Sequence, residues 1–471
     1  MEFSLEKNKY TAILAVILIV STIIRFYGIS YSYSDENVYI YMGRQILKGF
    51  IPYRDFFCAH PPILLYSTAF FEMIFNNIFF GSKMSVLFYS IGTAVLIFLA
   101  MKKIADEKTG IISSFLFIFS SNYFSLFDKV LGFDIACFFM ILAVYFYAQN
   151  KPIKSSTALA FAILSRLFSV FLFFSFFIDS IFELVKIKKN KIKFSLDKNK
   201  IYLLLTPAVV LLVFFIFSTF SNIFGQTIFF HAQKQVMPFS YKFSMFVQYL
   251  FEYWYISFPA LISILFLKDK KIRVIFISFF VLSSGIIFQK LIFSMYFSLT
   301  FPFLCMLAGY TFFKFDKNIK ALLLVIFVFP VLFNLESFLK KQDFLTVSQI
   351  TDYIEKNTDK NDTINGYSTI ATIVSYLTER ELSPSYREPG GFIDTTNKRF
   401  DAKVDTIDYF IETLEKSNSK YIFCLLNDES LQGVCGVSNF PEYLQNNCTL
   451  EAQFFEQLKG TILIFRRNNY I

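Results

Sequence analysis

Eleven apolar stretches follow one another through the first 339 of 471 residues, most of them near the roughly 20 residues that carry a helix across a bilayer. They lie at about 10–28, 61–79, 82–101, 109–127, 134–149, 157–187, 201–220, 244–267, 274–288, 291–313 and 319–339. Hydrocarbon offers no partner to a peptide N–H or C=O, so each crossing segment must satisfy its own backbone as a helix. A mean hydropathy of +0.51 agrees with a polytopic α-helical membrane protein.

Charge then separates the chain into two parts. Residues 1–339 carry 31 Lys+Arg against 17 Asp+Glu, whereas residues 340–471 carry 14 against 19. The cations of the first part sit in short loops between apolar runs, as the positive-inside rule describes, and not along one soluble face, so nucleic-acid binding is excluded as a reading. Met1–Tyr10 is polar and leads into apolar Thr11–Val20 without a small-residue cleavage site, which predicts a retained first helix and not a removed signal peptide.

Loop charge also chooses the topology. If 61–79 crossed and 157–187 were one span, Lys102, Lys103, Lys108, Lys151 and Lys154 would all face outward, against the rule. A surface-lying or re-entrant 61–79 after Pro61-Pro62, with 157–187 broken near Arg166, brings them inside with the basic runs 186–200, 268–273 and 314–320. The prediction is 11 spans in the plasma membrane, a cytoplasmic N-terminus and an outside tail. Four polar stretches then share the outer face: 29–60, Phe127–Asp134, Ser221–Ser244 and Phe288–Lys290.

The chain is expected to divide into a transmembrane domain, 1–339, and a small extracytoplasmic α/β domain, 340–471. In the latter, 347–356, 369–379 and 404–416 show helical periodicity, 363–367, 421–426 and 461–465 are β-prone, and 383–396 reads as an exposed loop. Six cysteines show no metal-ligand spacing, so structural zinc is not expected. Cys435 with Cys448 is the candidate disulfide of an outside tail.

The first outer loop holds the densest chemistry: Asp35-Glu36, Gly49, Pro52-Tyr53-Arg54-Asp55 and His60-Pro61-Pro62. An acidic pair, a Gly-x-x-Pro-Tyr stretch and a basic residue before Pro-Pro, in that order, resemble the GT-C superfamily of polyprenyl-phosphate-sugar-dependent glycosyltransferases. The resemblance is to the branch of protein mannosyltransferases and lipid A aminoarabinose transferases, and its pattern extends over most of 10–339. It implies a GT-C-like helical fold and a polyprenyl-phosphate-sugar donor. The acceptor would be a glycan, lipid or protein outside the cytoplasm.

A sugar on a lipid phosphate already has a good leaving group, so one base suffices where a glycosidase needs an acid and a base. By resemblance Asp35 is that base, with Glu36 beside it and Asp134, after Phe127–Phe133, as the second acid. The leaving phosphate calls for cations: His60, where relatives often carry Lys, Arg166, Lys290 and Arg54. Some relatives use a divalent ion here, for which His231 in Phe230-His231-Ala232-Gln233 is the candidate ligand; no other cofactor is implied. Two other functions fit many spans with embedded charge: a transporter or lipid flippase, and a glycan polymerase or ligase that uses lipid-diphosphate donors.

Overall fold

The computed structural model describes residues 5–125, 127–188, 191–194, 202–218, 222–233, 236–315, single positions within 320–330, 345–382, 411–427 save 413 and 418, 430–436, 439–456 and 460–468. The helices of the apolar part are α1 (Leu5–Tyr27), α2 (Glu36–Leu47), α3 (Pro62–Phe75), α4 (Ile78–Ile104), α5 (Glu107–Ile118), α6 (Ser121–Ser125), α7 (Phe133–Ala148), α8 (Pro152–Ser165) and α9 (Val170–Leu184). After a short hairpin, β1 (Val185–Lys188) with β2 (Lys191–Phe194), come α10 (Leu205–Ser218), α11 (Phe230–Gln233), α12 (Phe239–Glu252), α13 (Trp254–Ile262), α14 (Lys270–Ile287) and α15 (Phe301–Lys314).

Among the described residues three helical stretches are long and apolar enough to cross a membrane alone: Lys9–Tyr27, Ile78–Ile104 and Ser294–Lys314. Phe239–Glu252 and Trp254–Phe266 form a further pair, bent by 98°. The expected segment 61–79 is not one helix. It ends at Asn76, in the left-handed region at φ 47°, and Asn77 starts α4 by accepting the Phe80 N–H at 2.8 Å. The expected break in 157–187 is present, because Arg166 leaves the helix with φ −147° and ψ 121° between α8 and the 3₁₀ turn Leu167–Ser169. The segment 319–339 falls largely outside the described residues.

Contacts between helices define two ends of the bundle. At one, Asp179 of α9 accepts from Arg273 Nε at 2.8 Å and from Tyr147 Oη at 2.8 Å, and Tyr310 Oη donates to Asp269 at 2.6 Å. The opposite end gathers the first polar loop, the turn 127–132 and Arg166.

The C-terminal sheet domain comprises α16 (Leu345–Asn357), β3 (Thr363–Gly366), α17 (Ser368–Thr378), β4 (Glu381–Leu382), β5 (Ser419–Asn427), β6 (Ser430–Gln432), α18 (Phe440–Asn447), β7 (Cys448–Glu456) and β8 (Gly460–Arg467). Strand order is β4-β3-β5-β8-β7, with β6 folded back on β5; the pairings of β3 are parallel and the others antiparallel. The first two helices and all three strands expected here form with small shifts of boundary. The loop 383–396 and most of the helix expected at 404–416 lie outside the described residues, as does the boundary near 340.

The expected disulfide is corrected. Cys435 bonds Cys424, with Cα atoms 5.7 Å apart, and Cys448 is a buried free thiol. The β5–β6 hairpin pairs Leu425 with Gln432 and so returns the chain beside Cys424, while Cys448 begins β7 on the far side of β8.

Candidate active site

Asp35 is the N-cap of α2, yet its carboxylate makes no cap bond, and the residue is exposed. This leaves an acid free to meet a ligand at the positive end of a helix. Its neighbour is treated differently. Glu36 is fully buried: Oε2 takes Lys83 Nζ at 2.9 Å and the Val130 N–H at 3.1 Å, and Oε1 takes Ser32 Oγ at 2.5 Å. Lys83 Nζ also donates to Asp128 O at 3.0 Å. Glu36 therefore ties α2, α4 and the turn 127–132 together and has no open oxygen for chemistry, contrary to its expected catalytic place.

Arg25 does the same work beside it. It meets Asp128 at 3.5 Å, donates to Ser90 Oγ and Phe127 O, and stacks over the Tyr123 ring at 4.6 Å. Neither Lys83 nor Arg25 was singled out in the sequence. The signal that could have found them is a lone cation inside or at the end of a long apolar run, which needs an anion on a neighbouring element.

Arg166, packed on His60, forms the cationic side of the site. Arg166 is buried, donates from Nη1 toward the His60 ring (3.1 Å to Nδ1, 3.3 Å to Nε2), and donates from Nη2 to Leu131 O. Its guanidinium lies over the Phe133 ring at 4.7 Å and near the Tyr39 ring at 5.9 Å, while Nε has no hydrogen-bond partner among the described residues. Gly132 makes this approach feasible. It starts α7 at φ 76°, and a Cβ there would stand 3.3 Å from Leu64 and 3.4 Å from Arg166 Nε. The His60 carbonyl is held by Tyr53 Oη at 2.7 Å. Tyr296 and Tyr39 both lie within electrostatic reach of Asp35 and Arg166, so the acid and the cation share one neighbourhood.

The remaining candidates scatter around this core. Asp134 is buried on the first turn of α7, with Oδ2 unpartnered among the described residues and with Arg25 and Arg166 acting on it electrostatically. Arg54 is exposed and forks onto Asp55 at 3.0 and 2.8 Å. Lys290 is exposed, with Nζ 2.6 Å from Ala232 O. His231 packs 5.9 Å from the His60 ring, and its Nε2 meets Ala59 O at 2.9 Å. That bond makes Nε2 a donor, which removes its lone pair from metal binding. Among the described residues no three His, Cys, Asp or Glu side chains converge as ligands.

No protein-family model and no curated protein matches the sequence. Solved structures match along nearly all of it. ArnT from Cupriavidus metallidurans bound to undecaprenyl phosphate matches with a TM-score of 0.66 at 10% identity, over 97% of this chain and 98% of that one. The same protein in its apo state gives 0.67 at 9% identity, over 96% and 98%. The oligosaccharyltransferase AglB from Archaeoglobus fulgidus, in complex with an inhibitory peptide and a dolichol-phosphate, gives 0.57 at 11%, over 98% of this chain and 74% of that one. The chain shares its fold with ArnT and AglB, the fold that the order of residues in its first loop anticipates.

Proposed function

We propose that the protein is a membrane glycosyltransferase that moves one sugar from a polyprenyl-phosphate carrier to an acceptor on the non-cytoplasmic face. The observation that carries this reading is an open carboxylate, Asp35, one helical turn before Tyr39, whose ring lies 5.9 Å from the buried Arg166 guanidinium and 5.2 Å from the His60 ring. Support comes from two neighbours of the same fold whose structures contain polyprenyl phosphates: ArnT with undecaprenyl phosphate and AglB with a dolichol-phosphate.

In this mechanism the acceptor oxygen gives its proton to Asp35 as it bonds to the anomeric carbon. The bond from that carbon to the phosphate oxygen breaks, and its electron pair leaves with the polyprenyl phosphate. One displacement inverts the anomeric centre. The departing phosphate oxygens are met by the Arg166 guanidinium, whose Nε has no partner among the described residues, with the His60 ring beside it. Glu36 and Lys83 position the base, and Asp134 balances the cations beneath it. Arg54 and Lys290 stand at the approach to the site.

Within this reading the chain crosses the plasma membrane 11 times. The Asp179–Arg273 end is cytoplasmic, and the sheet domain, beginning near 340, is outside. Hexose and pentose donors both suit the chemistry. The test is transfer by the reconstituted full-length protein from radiolabelled undecaprenyl-phosphate sugars, with undecaprenyl-diphosphate sugars in parallel. Transfer from the monophosphate donors is expected. Use of the diphosphate donors alone, or lipid movement without transfer, would replace this reading with a polymerase or a flippase.

A further inference from the structure

The Asp35 carboxylate makes no cap bond, so the backbone of the first turn of α2 decides where it stands. Asp35 O accepts the Val38 and Tyr39 N–H groups at 3.0 and 3.3 Å, and Ser34 O accepts the Asn37 N–H at 3.1 Å. Two fully buried side chains anchor this turn. Glu36 ties it to the bundle through Lys83 and the Val130 N–H. Asn37, the next residue, ties it to the sheet domain.

The Asn37 amide bonds in three directions. Nδ2 donates to Ser32 O at 2.6 Å and to Thr369 O of α17 at 3.1 Å, and Oδ1 accepts from Tyr376 Oη, also of α17, at 2.9 Å. Burial keeps the Tyr376 phenol protonated, so it stays a donor. Two carbonyls and one hydroxyl around one side chain call for an amide. Aspartate would lack both donors, and leucine would leave all three groups enclosed without partners. Asn37 thus joins the strand of chain entering Asp35, the helix leaving it, and α17. Farther along α2, Arg44 Nη1 donates to Ser375 O at 3.2 Å, and Glu381 of β4 faces Arg44, Gln45 and Lys48. The bundle side leaves no slack, because a Cβ at Gly43 would stand 3.0 Å from Glu72 and Thr68 of α3.

We infer that Asn37 and Tyr376 are positioning residues for the base: through their hydrogen bond the sheet domain sets where the Asp35 carboxylate stands, and so takes part in the transfer step. The inference deepens the transferase reading above and rests on it. Neither residue touches substrate or exchanges a proton. A base must lie within hydrogen-bond reach of the proton it takes, and a displacement of about 1 Å costs about a hundredfold in rate. Carrier binding runs through other contacts, since Arg166 is held by Leu131 O and the His60 ring. Loosening α2 from α17 should therefore slow the chemical step and spare the binding of the carrier.

The test uses the full-length protein in phospholipid vesicles, with radiolabelled undecaprenyl-phosphate sugar as donor. The acceptor is the cell-surface molecule that mass spectrometry shows to lose one sugar in a deletion strain. Undecaprenyl phosphate alone, read as protection against thermal unfolding, reports carrier binding. Tyr376→Phe, which retains the ring and so the packing, is expected to lower kcat about tenfold, and Asn37→Leu, which severs all three bonds, about a hundredfold. Both should hold donor and acceptor KM within about threefold and keep the protection by undecaprenyl phosphate. Combined, they should cost no more than Asn37→Leu alone, because one contact carries both effects. Tyr353→Phe removes a 3.0 Å phenol bond to Glu451 elsewhere in the sheet domain and should leave kcat unchanged. If Asn37→Leu does not fold, Tyr376→Phe against Tyr353→Phe decides. An unchanged kcat in Tyr376→Phe, or an equal fall in Tyr353→Phe, would overturn the inference and leave the transferase reading intact. Full activity of Asp35→Asn would overturn both.

Discussion

Arg166 Nη1 lies 3.1 Å from His60 Nδ1 and 3.3 Å from Nε2, so the ring at this position is packed directly on a buried cation. His60→Lys would set two full positive charges within about 4 Å, a repulsion on the order of 4 kcal/mol at an effective dielectric near 20. A lower melting temperature and loss of undecaprenyl phosphate protection are expected from that variant, whereas His60→Asn should keep the fold. The Lys83–Glu36 pair makes a second demand of the same kind. Lys83→Met leaves a fully buried carboxylate without its counter-ion, and unfolding in detergent should show a loss of about 3–5 kcal/mol. Pairing it with Glu36→Gln should recover much of that loss, because the orphaned charge, more than the missing contact, is the source of the cost.

Elements differ in how plainly the sequence announces them. The break at Arg166 was legible, because 31 apolar residues exceed one span and an arginine in their midst needs a polar exit. The division of 61–79 was less so: Asn76-Asn77 carries both the helix stop and the next start, yet the apolar run appears continuous across them. In the sheet domain β7 escaped notice, since Cys448–Glu456 alternates only weakly and pairs along one side with β8. The disulfide was misassigned because its geometry comes from the β5–β6 hairpin and not from spacing. Cys435→Ser should destabilise the sheet domain by about 3 kcal/mol, as expected for releasing a closure of 11 residues. Cys448→Ser should shift it far less. Burial pushes that thiol up to about 11, so it stays protonated and unreactive at neutral pH.

For the whole molecule, the parts read from one segment were the parts the sequence revealed. Asp35, His60 and Arg166 came from local motifs, and the structure brings them into one neighbourhood. Lys83, Arg25 and Tyr376 matter through contacts with distant segments, such as Asn37 with Thr369 across 332 positions, and no local pattern encodes those. The sheet domain is thus joined to the first loop along α2 and α17, beside the proposed base. If the sheet domain merely shielded the site, Glu381→Lys, which reverses the charge facing Arg44 and Lys48, would leave the transfer step unaltered. A fall in kcat is expected instead, measured in the same vesicles.

Sugar transfer by Asp35→Asn, measured beside its thermal protection by undecaprenyl phosphate, tests the proposed chemistry most directly. Protection equal to that of the natural protein, with transfer reduced at least about a thousandfold, is expected if Asp35 is the base and Arg166 with His60 holds the carrier. Undiminished transfer in that variant would contradict it.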